Sequence, residues 1–184
     1  MDLNSNCLEI GNWLFNRFNP YSMVFLRWLN SLEYILEISN TTNDNDKVKV
    51  LLNMLEPCVL KKIQKKLFPS NPFDVPYDEI LTLLENTYSP FCKGNSVKYR
   101  YKYRHQLPEE SIEHYFLALR KLLSKCSSDF QNTANLKKQF IKGILHKKTK
   151  ILLQSDENMS QYLTIYMAKQ MELANNDNNN TSEY

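Results

Sequence analysis

Apolar residues return at helical spacing in run after run between residues 20 and 174, and short polar or proline-bearing breaks separate the runs. That period of 3.6 admits helices and little else. Phe25, Trp28, Leu29, Leu32, Ile35 and Leu36 define a helix over about 20–38, opened by Asn19-Pro20 as N-cap and first helical residue. The polar stretch "SNTTNDND" ends it and caps a second helix, about 44–55, marked by Val48, Leu51, Leu52 and Leu55. Pro57 starts a third, with Leu60, Ile63 and Leu67 on one face and Lys61, Lys62, Lys65 and Lys66 opposite. The proline-rich "FPSNPFDVP" breaks the pattern, and Pro76 opens a fourth helix carrying Ile80, Leu81, Leu84 and Tyr88. The second half continues with a long helix over about 109–126, using Ile112, Tyr115, Phe116, Leu119, Leu122 and Leu123. Three more follow near 133–143, 145–154 and 158–174. Only 3 glycines occur in the whole chain, which disfavours glycine-rich sheets and phosphate loops. The expected fold class is all-α.

Charge divides the chain. Residues 1–90 carry 8 Lys/Arg against 11 Asp/Glu, net −3; residues 91–184 carry 15 against 9, net +6. A shift of this kind suggests two units with different surroundings. "SPFCKGNS", residues 89–96, interrupts the helical pattern with proline, glycine and serine and reads as a linker. The expected organisation is therefore two small helical bundles, 1–90 and 91–175, followed by a disordered tail, 176–184, within the low-complexity "NNDNNNTSEY" that starts at Asn175. The short aromatic "WLFNRF", 13–18, fits an extended arm or part of a groove.

Several function classes lack support. There is no G-x-S-x-G, no P-loop, no dinucleotide fingerprint and no H-E-x-x-H. His105 and His114 lie beside Glu109, Glu110 and Glu113, but acidic residues at a helix start are expected from the helix dipole alone. No catalytic residue, metal ligand or cofactor site is assigned, and the expectation is a non-enzyme. Cys7, Cys58, Cys92 and Cys126 are widely spaced and read as reduced, mostly buried thiols. No apolar run reaches the roughly 20 residues of a membrane span, and the polar start is unlike a secretory signal, so a cytoplasmic location is expected. The segment "KYRYKYRH" alternates cations and aromatics. Lys98, Arg100, Lys102 and Arg104 are candidate RNA contacts, because cations pair with phosphates and tyrosines stack on bases. The competing reading is a short helix with its tyrosines packed inward and its cations solvated.

The stretch "RHQLPEESIEHYFLALRKLLSKC", 104–126, sets Gln106 four residues before Glu110, across a turn-forming Leu107-Pro108. Proline suits a helix's first turn, acids complement its dipole, and an amide that both donates and accepts can bridge the turn to a carboxylate. The same phrase resembles the major homology region of retroviral and retrotransposon Gag capsids: Gln106, Glu110 and Tyr115 fall on that motif's glutamine, glutamate and aromatic positions, while Leu107 stands where the motif has glycine. With "LKKQFIKGI", "NPYSMVFLRWLNSLEYIL" and "YDEILTLLENTYSP", the likeness to gypsy-class LTR-retrotransposon Gag extends over about residues 13–174.

The resemblance implies retroviral capsid-like N-terminal and C-terminal domains that self-assemble into shells around RNA, with release in virus-like particles or vesicles as a further expectation. It also implies cousins adopted by host genomes, such as the neuronal protein Arc. The alternative is a domesticated module that binds peptides or proteins without forming shells. The zinc knuckle of Gag is absent from this sequence, so RNA binding is expected to be weak and non-specific. Family resemblance further implies a two-fold contact through the helix near 133–143. Its outward residues, Ala134, Asn135, Lys138, Gln139 and Lys142, are the candidate dimer contact.

Overall fold

In a computed structural model of the chain, residues 7–10, 13–92 and 94–180 are described. They are mostly helical, with ten α-helices and one two-stranded hairpin among them. The chain divides into two compact units, 1–100 and 101–184. The division falls inside a short helix, beyond the 90/91 position suggested by charge and the 89–96 break. That break contains a 3₁₀ turn, Pro90–Cys92.

The first unit opens with the antiparallel hairpin β1 (Cys7–Ile10) and β2 (Trp13–Asn16), Leu8 opposite Phe15 and Glu9 opposite Leu14. The extended arm then meets the chain before α3: the Phe18 amide donates to Met54 O at 2.8 Å, and Phe18 O accepts from the Glu56 amide at 3.2 Å. Four helices follow: α1 (Phe25–Ile38), α2 (Asp44–Asn53), α3 (Pro57–Leu67) and α4 (Tyr77–Tyr88). The short α5 (Ser96–Lys102) comes after them. Asn43 caps α2 through its side chain, as the polar break suggests. Asn19 does not cap α1. It closes only one turn, accepting from the Tyr21 amide at 2.9 Å, and α1 begins at Phe25 with Val24 extended before it. The interruption folds the arm back, so that Phe18 lies 5.2 Å from both Phe25 and Trp28 and 5.1 Å from Tyr88, centroid to centroid. These rings belong to one apolar core with Leu29, Leu32, Leu51, Ile63 and Ile80. The lysine face of α3 is exposed.

The second unit contains α6 (Ile112–Ser124), α7 (Ser128–Thr133), α8 (Leu136–Gly143), α9 (Lys147–Gln154) and α10 (Gln161–Asn180). α10 packs on α6 and α9, and α8 packs on the same two helices. Ser111, Asn135 and His146 cap α6, α8 and α9. Two sequence expectations change here. The backbone stays helical through Asn180, into the stretch expected to be a disordered tail, because extending an existing helix is far cheaper than starting one. Residues 181–184 lie outside the described ones. The cysteines are also less buried than expected: Cys58 is exposed and Cys92 and Cys126 are intermediate, and none of the three is in a disulfide. The side chain of Cys7 lies outside the described residues. No helix among the described residues is long and apolar enough to cross a membrane, and no cluster of three or more His, Cys, Asp or Glu there is placed to hold a metal ion.

Candidate functional site

The turn before α6 is built around a buried ion pair. Glu110 is 3% exposed and Arg104 is 2% exposed. The Arg104 guanidinium donates to the Glu110 carboxylate and to the His105 carbonyl. The second carboxylate oxygen accepts from the Leu107 amide at 2.8 Å. Burial pushes the Glu110 carboxyl above its ordinary range, while Arg104 and the Leu107 amide pull the other way. Turning this carboxylate inward requires a sharp reversal, and Glu109 supplies it with a left-handed φ of 61°. Leu107 is not in that region, so the position where the Gag motif has glycine tolerates a side chain here. The reversal also delays the helix. Pro108, Glu109 and Glu110 precede the cap at Ser111, and the only acid in the first turn of α6 is Glu113.

Gln106 closes the turn differently from the sequence expectation. Its side-chain amide donates to the Glu110 carbonyl at 2.8 Å, not to the carboxylate. Its side-chain oxygen accepts from the Leu145 amide at 3.0 Å, and its own amide donates to Gly143 O at 2.8 Å. One glutamine thereby ties the turn to the α8–α9 connection. It is half-buried rather than buried. Tyr115 is fully buried, stacked on Phe140 at 5.5 Å, with the Arg104 guanidinium 5.6 Å from its ring centroid. Its hydroxyl lies 3.3–3.4 Å from the carbonyls of Arg104, Gln139 and Phe140. Burial pushes the phenol pKa up.

Gly143 is the residue sequence reading missed most completely. A Cβ there would sit 1.9 Å from the Tyr115 hydroxyl and 2.8 Å from Arg104 O. Only a hydrogen leaves room for the tyrosine. Glu172 of α10 completes the surroundings by accepting from the Ile112 amide at 2.8 Å, which caps α6 from outside. Burial raises its carboxyl pKa. Gln106, Ile112, Leu145, His146 and Glu172 line part of a cavity of about 350 Å³ beside the turn.

The candidate RNA contacts separate. Arg104 is consumed by Glu110. Arg100 is 6% exposed, donates to Asn30 Oδ1 at 2.8 Å and pairs with Glu33. Neither arginine presents its charge to solvent, which corrects both expectations: the buried Glu110 carboxylate and the His105 carbonyl hold Arg104, and the Asn30 side chain and the partly exposed Glu33 carboxylate hold Arg100. Lys98 is half-buried, and Lys102 is exposed with its ammonium 5.9 Å from the Phe130 centroid. Tyr101 is buried edge-on to Phe130 at 5.7 Å, while Tyr99 and Tyr103 are exposed. The alternation of the sequence thus does not map to aromatics inside and cations outside.

The candidate dimer face is also partly spent. Asn135 accepts from the Lys138 amide at 2.9 Å as the cap of α8. The Gln139 side chain donates to Arg104 O at 3.3 Å, inward toward the turn. Ala134 is half-buried at the end of α7. Lys138 and Lys142 are exposed.

A family model, the PNMA-like C-terminal domain, matches residues 16–167. The chain belongs to that family. The PNMA-like match spans both compact units and includes the whole Arg104–Glu110–Tyr115 turn. PNMA-like domains are related to domesticated capsid-like proteins derived from Gag and Arc. No curated protein and no solved structure matches this chain.

Proposed function

We propose that this PNMA-like chain is a structural, non-enzymatic capsid protein of gypsy-class Gag descent, live or host-adopted. Its activity is assembly into shells enclosing RNA. Its two compact units then correspond to capsid N-terminal and C-terminal domains. Cytoplasm is its site of action, with release in particles or vesicles. The observation that carries this reading is the turn at 104–115. The three residues that resemble the major homology region converge on one turn, where Glu110 and Tyr115 are buried and Gln106 bridges to the α8–α9 connection. A network that fixes the angle between a turn and three helices gives a subunit one rigid shape, which a closed shell needs. A two-fold contact through α8 brings Lys138 and Lys142 toward their symmetry mates, so it is weak at low salt and is strengthened by screening and by the avidity of many contacts.

Negative-stain microscopy of the purified chain across a salt series tests this. Round shells that become more abundant as salt rises are expected. Monomers or small oligomers at every salt concentration overturn shell formation. That outcome would favour the second reading, an interaction module without shells. One observation favours it already: Asn135 and Gln139 are engaged inside the subunit, which leaves the α8 face with lysines and no aromatic anchor.

A further inference from the structure

Sequence reading placed the basic contact surface at 98–104, where two of the four cations prove to be buried and paired. The charge that remains available lies elsewhere. From residue 130 to 155 there is no Asp or Glu, yet lysines stand at 137, 138, 142, 147, 148 and 150. Two of these are occupied internally. Lys137 donates to the carbonyls of Glu157 and Met159, at 2.7 and 2.8 Å, and Lys150 donates to the Lys142 carbonyl. Lys138, Lys142, Lys147 and Lys148 are exposed, and among the described residues none of them enters an ion pair. Lys49 and Lys169, by contrast, have carboxylates at 2.9 Å.

Helix stability does not account for this arrangement. Lys138, Lys147 and Lys148 stand in the first turns of α8 and α9, where positive charge opposes the helix dipole. α2, α4, α6 and α7 carry acids at the corresponding place. The four lysines are spread over two consecutive packed helices, and of them only Lys147 lines the cavity beside the turn. Charge dispersed in this way suits an extended polyanion better than a single small anion. Lysine is a compact point charge without the forked geometry that reads bases or clamps single carboxylates. A helix lying on a membrane sets an apolar stripe beside its lysines; α8 exposes no apolar side chain, whereas α9 exposes Ile151 and Leu152, so a lipid surface is the competing outcome that the experiment separates.

We propose that Lys138, Lys142, Lys147 and Lys148 form a binding surface for the phosphodiester backbone of single-stranded RNA, independent of base sequence. The choice of RNA rests on the reading of the chain as an RNA-enclosing protein. The location of the contact rests on the lysines themselves.

The test is anisotropy of a labelled oligouridylate titrated with the full chain across a salt series. One variant carries Lys138→Gln, Lys142→Gln, Lys147→Gln and Lys148→Gln. A second carries Lys61→Gln, Lys62→Gln, Lys65→Gln and Lys66→Gln on α3, which removes the same charge from another exposed face. Circular dichroism verifies that both fold. Each phosphate contact contributes about 0.7 to the log–log salt slope on a single strand, so the first variant should lose a slope of about 3 and bind at least about tenfold more weakly. The α3 variant should keep the wild-type slope. Equal losses in both variants, or a loss only in the α3 variant, overturn the proposal. So does wild-type chain that binds phosphatidylserine vesicles but not the oligouridylate. Microscopy of the same samples separates the two readings. RNA bound through these lysines without shells keeps this surface and removes the shell reading. Shells whose RNA affinity ignores the four substitutions keep the shell and remove this surface.

Discussion

The two units bury an arginine each, in opposite ways. In the first unit Arg100 lies beside a large aromatic and aliphatic core, and its partner Glu33 keeps 31% of its side chain exposed. In the second unit Arg104 and Glu110 are both shut in, at 3% and 0% side-chain exposure, and Tyr115, Gln106 and Gly143 are arranged around them. The first pair is an edge feature of an apolar core. The second is the centre on which neighbouring elements are positioned. A half-hydrated partner falls back on water when its mate is lost, whereas a sealed one does not. The first unit should therefore tolerate loss of its cation and the second should not.

The sharpest way to break this contrast is Glu110→Ala. It strands the Arg104 guanidinium in the interior, and removing one member of a buried pair costs about 3–5 kcal/mol. Hydrogen exchange of α6 amides reads the second unit, and fluorescence of the tryptophans, both in the first unit, reads the other. Protection should collapse in α6. Joint replacement, Arg104→Met with Glu110→Leu, should restore most of it, since apolar substitutes of similar size remove the charge rather than expose it. Unchanged protection in the single variant would mean that water reaches Arg104.

Gly143→Ala comes next. Overpacking a filled site costs about 1–3 kcal/mol, sometimes more. Tyr115→Phe in the same chain removes the atom 1.9 Å from the new carbon but leaves the ring carbon at 2.9 Å, so rescue should be partial. Full tolerance of alanine in a melting curve would refute the tight approach of α8 to Tyr115. Arg100→Met should cost less, about 1.5 kcal/mol, the scale of a hydrogen bond to a charged group. A loss as large as that of Glu110→Ala, measured by urea unfolding, would erase the distinction between the two arginines.

The smallest effect is on pH dependence. Glu172 has a folded pKa above the ordinary 4.5, chiefly through burial. The folded chain then holds this proton more tightly than the unfolded chain. Its contribution to stability is present at low pH and is lost as pH rises through the raised pKa. Glu172→Gln keeps an acceptor for the Ile112 amide and removes the titration. The variant should gain on the wild type as pH climbs above 4.5, with nearly equal stability below it. A variant that loses ground over the same range would reverse the sign of the shift.

Helical class, the identity of most helices and the lysine face of α3 are written in local pattern, whereas Gln106, Glu110 and Tyr115 stand out as a set through their resemblance to the Gag motif. Period, caps and turn residues act over a few positions, so one sequence suffices to read them. The fate of the arginines is not local. Arg100 and Arg104 sit in the same basic-aromatic phrase as Lys98 and Lys102, yet Arg100 is paired with a carboxylate 67 positions away and hydrogen-bonded to an amide oxygen 70 positions away. Arg104 is neutralised by a carboxylate that turns inward only because Glu109 adopts a left-handed backbone. Gly143 looks like any helix-ending glycine until the Tyr115 hydroxyl, 28 positions earlier, is found in the space its side chain would fill. Folding decides such cases because a buried charge or a close approach is tolerable only when a particular partner arrives. Sequence supplies the groups and the helices that carry them, and the packed structure selects which groups meet.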